Sequence, residues 1–353
     1  MFGDSLKEEK MAGTKRIFIS DIHLSSQERY NAAEKMKRAR FNPQKHKTKL
    51  VNFLNKSVLE KENEIKDLVL AGDIFDTWVC PPDEAPPTFK EIFKSNPEIM
   101  DALRAIASSR INLFYLPGNH DYSIKKAEIE SEIPGVIFVK AYDDSQLKLH
   151  AEHGNSHVLF NKSFSKIAGG RPIGYFITRL VEHLGGYVSR FHDLISYSDD
   201  VIKLAAGKSN FFSLMIQALA DRAGVKEIVM NSRGRKISIK EINKMYKPLA
   251  KEHPPIEALT KLAVEGELEN VGDRLCHKKG YKIVIFGHTH KAKIDKDSFL
   301  VADRIYANAG CWSQKKAHCV IADLTEKGKA RVKLCKVIHT GRPVLVEKEK
   351  IKL

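Results

Sequence analysis

A chain of 353 residues, 42% hydrophobic and 29% charged, has the composition of an ordinary globular protein with room for a large core. No apolar run approaches the roughly 20 residues that span a bilayer, and five scattered cysteines (Cys80, Cys276, Cys311, Cys319, Cys335) without a C-x-x-C pair exclude a disulfide framework and a zinc–thiolate site and suit a reducing cytoplasm. The net charge of +15 is either a solvated lysine surface or the mark of an anionic partner: phosphorylated substrate, nucleic acid or acidic membrane lipid.

In chain order, residues 1–14 mix acids with bases and hold no apolar stretch, so they read as a flexible leader, not a secretory signal. The runs "RIFIS" (16–20), "DLVLAG" (67–72) and "INLFYLPG" (111–118) are short, aliphatic and closed by polar residues or glycine, the pattern of buried strands. Between the first two, Leu50, Phe53, Leu54 and Val58 recur at helical spacing. Between the second and third, the proline-rich "PPDEAPP" gives way to a helical "EIFKSNPEIMDALRAIASSR". Strands alternating with helices predict an α/β layer structure.

Further strands are expected at 135–140 and 145–154, then late in the chain at 282–288, 304–310, 318–324 and 330–338. The middle differs. From about 160 to 275 an apolar stripe running from Ile173 to Ile195 recurs every three or four residues, with Gly185 and Gly186 expected to kink it. "SIKE" (238–241) fits a capping box, and "NFFSLMIQALADRAG" (210–224) a helix closed by glycine. The expected organisation is one domain over 15–345, a helical insertion over about 160–275 inside it, and a solvated tail over 346–353.

The apolar runs share a kind of ending. The first runs into Asp21 and His23, the second into Asp73 and Asp76, and the third into Asn119, His120 and Asp121. A later run stops at His153, and "IFGHTH" at His288 and His290. In α/β sheets ligands bind outside the carboxyl ends of strands, so these groups are expected to converge. Carboxylate, imidazole and amide oxygen without thiolate suit manganese, iron, zinc or nickel. Seven candidate ligands exceed one open site, and a carboxylate shared by two ions roughly 3.5–4 Å apart resolves the excess.

In series, Asp-x-His, Gly-Asp-x-x-Asp, Gly-Asn-His-Asp, His-Gly and Gly-His-x-His resemble the calcineurin-like metallophosphoesterase superfamily, over residues 15–155 and 280–325. The resemblance implies a four-layer αββα sandwich with a helical lid and two divalent ions, manganese foremost. It implies Asp21, His23 and His290 on one ion, Asn119, His153 and His288 on the other, and Asp73 between them. His120 is then expected to contact the phosphoryl oxygen or protonate the leaving oxygen, with Asp76 orienting it. The implied reaction is in-line attack on phosphorus by a metal-bridged hydroxide, since metals lower the pKa of bound water from about 15.7 to about 7.

"GDIFDTW" lacks the arginine of protein Ser/Thr phosphatases and the tyrosine of purple acid phosphatases. With "EHGN" and an insertion before "GHTH", it is more similar to the UDP-2,3-diacylglucosamine hydrolase branch, which cleaves a lipid-precursor pyrophosphate. It departs from that branch at His120, where arginine is usual, and in "NSHVLFN" after His153. The insertion's stripe is either an ordinary core face or, with Arg171 and Arg179 as substrate contacts beside Arg190, a receptor for acyl chains and phosphate. The competing functions are a nuclease or cyclic-nucleotide-type phosphodiesterase, and a scaffold on a decayed metal site. Asp121 is expected to fix its loop and His150 to be a strand residue; His157 and Asn161 are expected as surface polar residues, with lining of the pocket mouth the alternative, and Trp78 and Trp312 as core or rim packing, with a substrate wall the alternative.

Overall fold

The structure, a computed structural model, describes residues 13–36, 43–158, 160–161, 170–183, 211–231, 233–247, 268–296, 303–313, 316–325 and 327–353. The early aliphatic runs form β1 (Lys15–Ile19), β2 (Ile65–Ala71) and β3 (Asn112–Leu116), parallel neighbours continued by β4 (Ile137–Phe138). On the other side of β1, the strands β12 (Ala317–Leu324), β13 (Lys329–Val337) and β14 (Pro343–Lys352) add antiparallel, giving the order β14-β13-β12-β1-β2-β3-β4.

A second sheet consists of β5 (Tyr142–Asp144), β6 (Leu149–Ala151), β9 (Ile283–Phe286), β10 (Lys293–Asp295) and β11 (Ile305–Asn308). Its order is β10-β11-β9-β6-β5. Here β6, β9 and β11 run parallel and the two edges antiparallel. The sheets stack through Phe18, Val69 and Leu116 on one side and Leu149, Ile285 and Ala307 on the other.

Helices cover both outer faces, and two more stand between strands, α1 (Gln27–Met36) after β1 and α5 (Lys126–Glu132) between β3 and β4. On the first sheet α2 (Pro43–Asn52), α3 (Phe89–Ser95) and α4 (Pro97–Ala107) bring Leu50, Ile92 and Leu103 onto Ile17, Leu68 and Leu113. Thr88 and Glu91 form a reciprocal capping box that starts α3, and Pro97 opens α4 at a position with no helical donor to lose. On the second sheet α9 (Leu268–Lys279) packs Leu268 and Val271 against Val284, Phe286 and Tyr306. The result is the expected αββα sandwich. At the amino ends of β1 and β2, the buried Arg16 ties the sheets together, giving Nε to Asp144 Oδ2 at 2.8 Å and Nη2 to Gln146 Oε1 at 2.8 Å.

The described part of the insertion comprises α6 (Ile173–His183), α7 (Phe211–Ala223), a hairpin of β7 (Glu227–Val229) with β8 (Lys236–Ser238), and α8 (Ile239–Tyr246). Its stripe is a core face: Ile173, Phe176 and Leu180 pack on Phe212, Ile216 and Tyr246. Ser238 and Glu241 form the capping box of α8, and Gly224 follows α7 at φ +64°. The stripe beyond His183, including Gly185, Gly186, Arg190 and Ile195, lies outside the described residues.

Three boundaries depart from expectation. The hairpin interrupts a stretch read as helical, because Asn231 turns the chain by accepting from the amides of Arg233 and Arg235. Residues 268–279 belong to the second sheet's helix layer rather than to the insertion. Residues 346–353, expected as a tail, lie mostly in β14, an edge strand whose one buried anchor, Ile351, leaves a polar sequence.

Candidate metal centre

Five strands deliver the expected groups to one hollow at their carboxyl ends. Asp21 and His23 follow β1, Asp73 and Asp76 follow β2, Asn119 and His120 follow β3, His153 follows β6, and His288 and His290 follow β9. Loop hydrogen bonds lock these endings together. The amide of Asp21 donates to the carbonyl of Gly72 at 3.0 Å, and that of His23 to the carbonyl of Asp73 at 3.0 Å. The amide of His120 donates to Asp73 Oδ1 at 2.7 Å, and that of His288 to Asp21 Oδ2 at 2.9 Å.

The backbone is strained where the ligands sit. Asp21, His23, Asp73, His288 and His290 have φ of 54°, 58°, 53°, 67° and 59°, and among the described residues Lys148 and Asp303 are the other non-glycines with positive φ. This left-handed region costs an L-residue about 1–2 kcal/mol, and such strain gathers where function fixes a side chain. Gly72, at φ +86°, and Gly118 complete the cradle: a Cβ on the first would fall on the His153 ring, and on the second on the Asp73 carboxylate.

Carboxylate and imidazole atoms fall into three overlapping groups: Asp21, His23 and His290; His23, Asp73 and His120; Asp73, His153 and His288. His23 Nε2 lies 3.1 Å from His290 Nε2, and His290 Nε2 lies 3.0 Å from Asp21 Oδ1. Asp73 Oδ2 sits between the outer groups, 3.3 Å from His153 Nε2 and 4.0 Å from His23 Nε2. Asn119 Oδ1 is 3.1 Å from His153 Nε2, which adds the amide oxygen to that side.

The donor set fits divalent cations. Asp21 Oδ1 is buried and has no well-aligned hydrogen-bond donor, its near neighbour being the His290 imidazole at 3.0 Å, so its lone pairs can take a cation. The imidazoles are also oriented as ligands. His153 Nδ1 donates to the carbonyl of Ala71 at 2.9 Å, and His23 Nδ1 lies 3.0 Å from Asp76 Oδ2, so both turn Nε2 toward the hollow.

Electrostatics match this geometry. Burial works against the Asp21 charge, yet His290 and His153 hold its carboxyl down to about 2. Burial likewise opposes the charge on Asp73, and His153 and His120 hold it well below the usual carboxylate range. His290 is disfavoured as a cation by burial, but Asp21 drives it up to about 10; for His153, Asp73 and Asp21 outweigh burial and bring it to about 9. Burial, with His153 next, forces His288 down to about 3.

Asp76 has a wider role than sequence disclosed. Its Oδ1 lies 2.9 Å from His120 Nδ1 and accepts from the amides of Trp78 and Val79 at 2.9 and 3.0 Å, while Oδ2 meets His23. One carboxylate therefore orients an imidazole of the metal group and the imidazole next to it. Asp121 is buried and accepts from the amides of Gly118, Ile74 and Phe75 and from the Tyr115 hydroxyl, a loop-fixing arrangement.

Arg179, expected as a substrate contact, is fully buried: Nη1 donates to Tyr175 Oη and the Val229 carbonyl, Nη2 to the carbonyls of Pro81 and Glu84. It clamps the loop after Asp76 to the insertion, a use of arginine invisible to spacing. Arg171 lies over the Tyr175 ring at 5.5 Å. Asn161, expected at the surface or at the pocket mouth, has Nδ2 3.2 Å from His288 Nε2. His150 contacts Asp143 at 2.8 Å, His157 contacts Glu152 at 2.6 Å, and Trp312 is buried against Phe53.

The family model for calcineurin-like phosphoesterases matches residues 14–292. No curated protein matches the chain. Among solved structures, it is similar to a conserved uncharacterized protein, a predicted phosphoesterase, from Streptococcus pneumoniae TIGR4, with 10% identity, 97% of this chain and 98% of that one covered, and a TM-score of 0.34. It is also similar to vacuolar protein sorting 29 from Cryptosporidium parvum, with 12% identity, coverage of 97% and 100%, and a TM-score of 0.38. A Vps29 single mutant from Entamoeba histolytica matches at 8% identity, with coverage of 96% and 99% and a TM-score of 0.30.

Proposed function

The chain belongs to the calcineurin-like phosphoesterase family, and from that premise we propose that it hydrolyses a phosphodiester or pyrophosphate bond with two divalent ions, manganese foremost. Asp21, His23 and His290 would hold one ion, and Asn119, His153 and His288 the other. The observation that carries the reading is Asp73 Oδ2, placed between His153 Nε2 at 3.3 Å and His23 Nε2 at 4.0 Å, where one carboxylate can serve both. When bound, such ions supply an acidified water and charge neutralisation at the phosphoryl oxygens.

The chain's own groups do the rest. With Nδ1 oriented by Asp76, the His120 imidazole would steady a phosphoryl oxygen of the substrate or give a proton to the leaving oxygen. Asp76 holds that imidazole in one tautomer and orientation, the service a buried carboxylate renders a catalytic histidine. The loop hydrogen bonds from His120 and His288 to Asp73 and Asp21 keep the donors fixed, so little reorganisation remains for the reaction.

An amphiphilic substrate such as a nucleotide-diphosphate lipid is the finer proposal. Its support is the "GDIFDTW" pattern together with Trp78, which stacks on His120 at 4.4 Å and meets Tyr175 of the insertion at 5.7 Å, joining an apolar layer to the site. A cytoplasmic setting goes with it, supported by five free, buried cysteines.

The test is hydrolysis of bis-p-nitrophenyl phosphate with manganese, alongside elemental analysis. Asp73→Asn should bring turnover to background and strip bound metal, and full activity in that variant or after exhaustive chelation would overturn the proposal. Turnover of a UDP-linked diacyl sugar, single-stranded DNA or a cyclic nucleotide then sorts the substrate class. Preference for either of the last two overturns the lipid assignment.

A further inference from the structure

The register of β13 and β14 places cations directly opposite cations. Lys329 faces Lys352, Arg331 faces Lys350, and Lys333 faces Lys348. Side chains alternate along a strand, so these six share one face, while Glu347 and Glu349, opposite Leu334 and Val332, lie on the other. Asp323 is the acid that pairs with this ladder, accepting from Arg331 at 2.8 and 2.7 Å and lying 3.7 Å from Lys333. Like charges directly opposite destabilise a sheet. A ladder of three such pairs points to a demand other than folding.

A bulge adds an aliphatic residue to the same face and leaves another beside it. Between Leu334 and Cys335 the register slips by one, leaving Val346 as the extra residue and turning Leu345 toward the side of Cys335, Lys333 and Arg331. Leu345 and Val346 are 48% and 57% exposed, beside an exposed Val344. β14 is the outermost strand, so this face and its edge meet solvent together.

The chemistry selects the occupant. A second copy pairing edge to edge about a two-fold axis normal to the sheet would oppose residues of the same parity, Glu with Glu and Lys with Lys, which repels. A nucleic-acid single strand would want aromatic rings that stack on its bases, which this face lacks, and a phosphate backbone of any form would use the five lysines and one arginine but leave the aliphatic side chains of Leu345 and Val346 in water. Basic residues beside exposed aliphatics match an anionic bilayer surface, which takes lysine at its headgroups and apolar side chains just beneath.

We propose that this edge of the sandwich docks on a membrane surface rich in anionic lipid, with Lys348, Lys350 and Lys352 over the headgroups and Leu345 and Val346 entering between them. The proposal does not rest on the metal centre, and its readout is not hydrolysis.

Co-sedimentation of the full chain with vesicles tests it. Binding is expected to phosphatidylcholine mixed with phosphatidylglycerol, not to phosphatidylcholine alone, and should weaken with salt. Joint Lys348→Glu, Lys350→Glu and Lys352→Glu should lower partitioning at least ~100-fold, since each lysine near an anionic surface contributes severalfold. The same variant should melt higher than the parent, because each new carboxylate faces a cation. Leu345→Ser with Val346→Ser should lower partitioning about tenfold, with an unchanged circular dichroism spectrum and cooperative thermal melt as proof of folding. Equal binding to both vesicle types, binding to neither, or DNA binding that needs the lysines but not Leu345 and Val346 would overturn the proposal.

Discussion

Trp78 lies against His120 with ring centroids 4.4 Å apart and planes inclined by 29°. The indole is 1% exposed, and its Nε1 has no hydrogen-bond partner, so the residue is held by shape rather than by polar contacts. Stacking fixes one face of the imidazole as Asp76 fixes its Nδ1. Trp78→Ala should therefore lower kcat up to ~100-fold, the scale of a misplaced catalytic group, with KM nearly constant and metal content intact. Trp78→Phe should recover most of it. Equal kcat in the alanine variant would assign Trp78 to packing alone.

Asp76 touches His23 and His120 at once, and this separates two variants that sequence alone would treat as equivalent. His120→Ala should keep both ions and slow turnover by about 10²–10⁴-fold, the usual scale for an acid–base group. Asp76→Asn should do that and also weaken metal binding, because His23 loses the carboxylate that orients it. Manganese titrations of the two variants, followed with turnover, check the difference.

Gly118 approaches the Asp73 carboxylate so closely that no methyl group fits between them. Gly118→Ala must displace Asp73, proposed as the shared carboxylate, or the loop that carries Asn119 and His120. The expected outcome is loss of turnover and of bound metal together, with a stability cost of about 1–3 kcal/mol from overpacking. Thermal melts with elemental analysis read both effects.

The sandwich was legible because its strands are short aliphatic runs buried on both faces, and such runs announce themselves without partners. The convergence of the candidate groups was legible for a related reason: Asp21, Asp73, Asn119, His153 and His288 each follow a buried strand, so the topology that aligns the strands also gathers the endings. What stayed hidden depends on contacts between distant segments. Nothing in "DTW" tells that Trp78 will stack on a histidine 42 positions away or that Asp76 will reach His23, and Arg179 reads as a free cation until four oxygens surround it. β14 escaped because an edge strand with one buried residue looks like solvated chain. The left-handed backbone at Asp21, His23, Asp73, His288 and His290 has only a faint signal, the glycine before Asp73 and before His288.

Proton linkage supplies the last prediction. Without metal, Asp21 at 3.0 Å from His290, and Asp73 at 3.3 Å from His153, keep these imidazoles cationic at pH 7, with values of about 10 and about 9. Both must be neutral to ligate, so manganese uptake near pH 7 should release close to two protons, and affinity should climb as pH rises toward 9. Calorimetry in buffers of different ionisation enthalpy measures the release. Stability of the chelated protein follows the same pair. A raised histidine contributes fully below its unfolded value near 6.5, and the contribution is lost as pH rises through the folded value, so the chelated protein should weaken progressively from pH ~6.5 to ~10. Asp21, held at about 2, acts at the other end: its contribution is present above about 3.8 and disappears as pH falls through 2. Saturating manganese should flatten the alkaline limb, because the ion takes over the work of the two protons. An alkaline limb identical with and without metal would mean that His153 and His290 do not hold it.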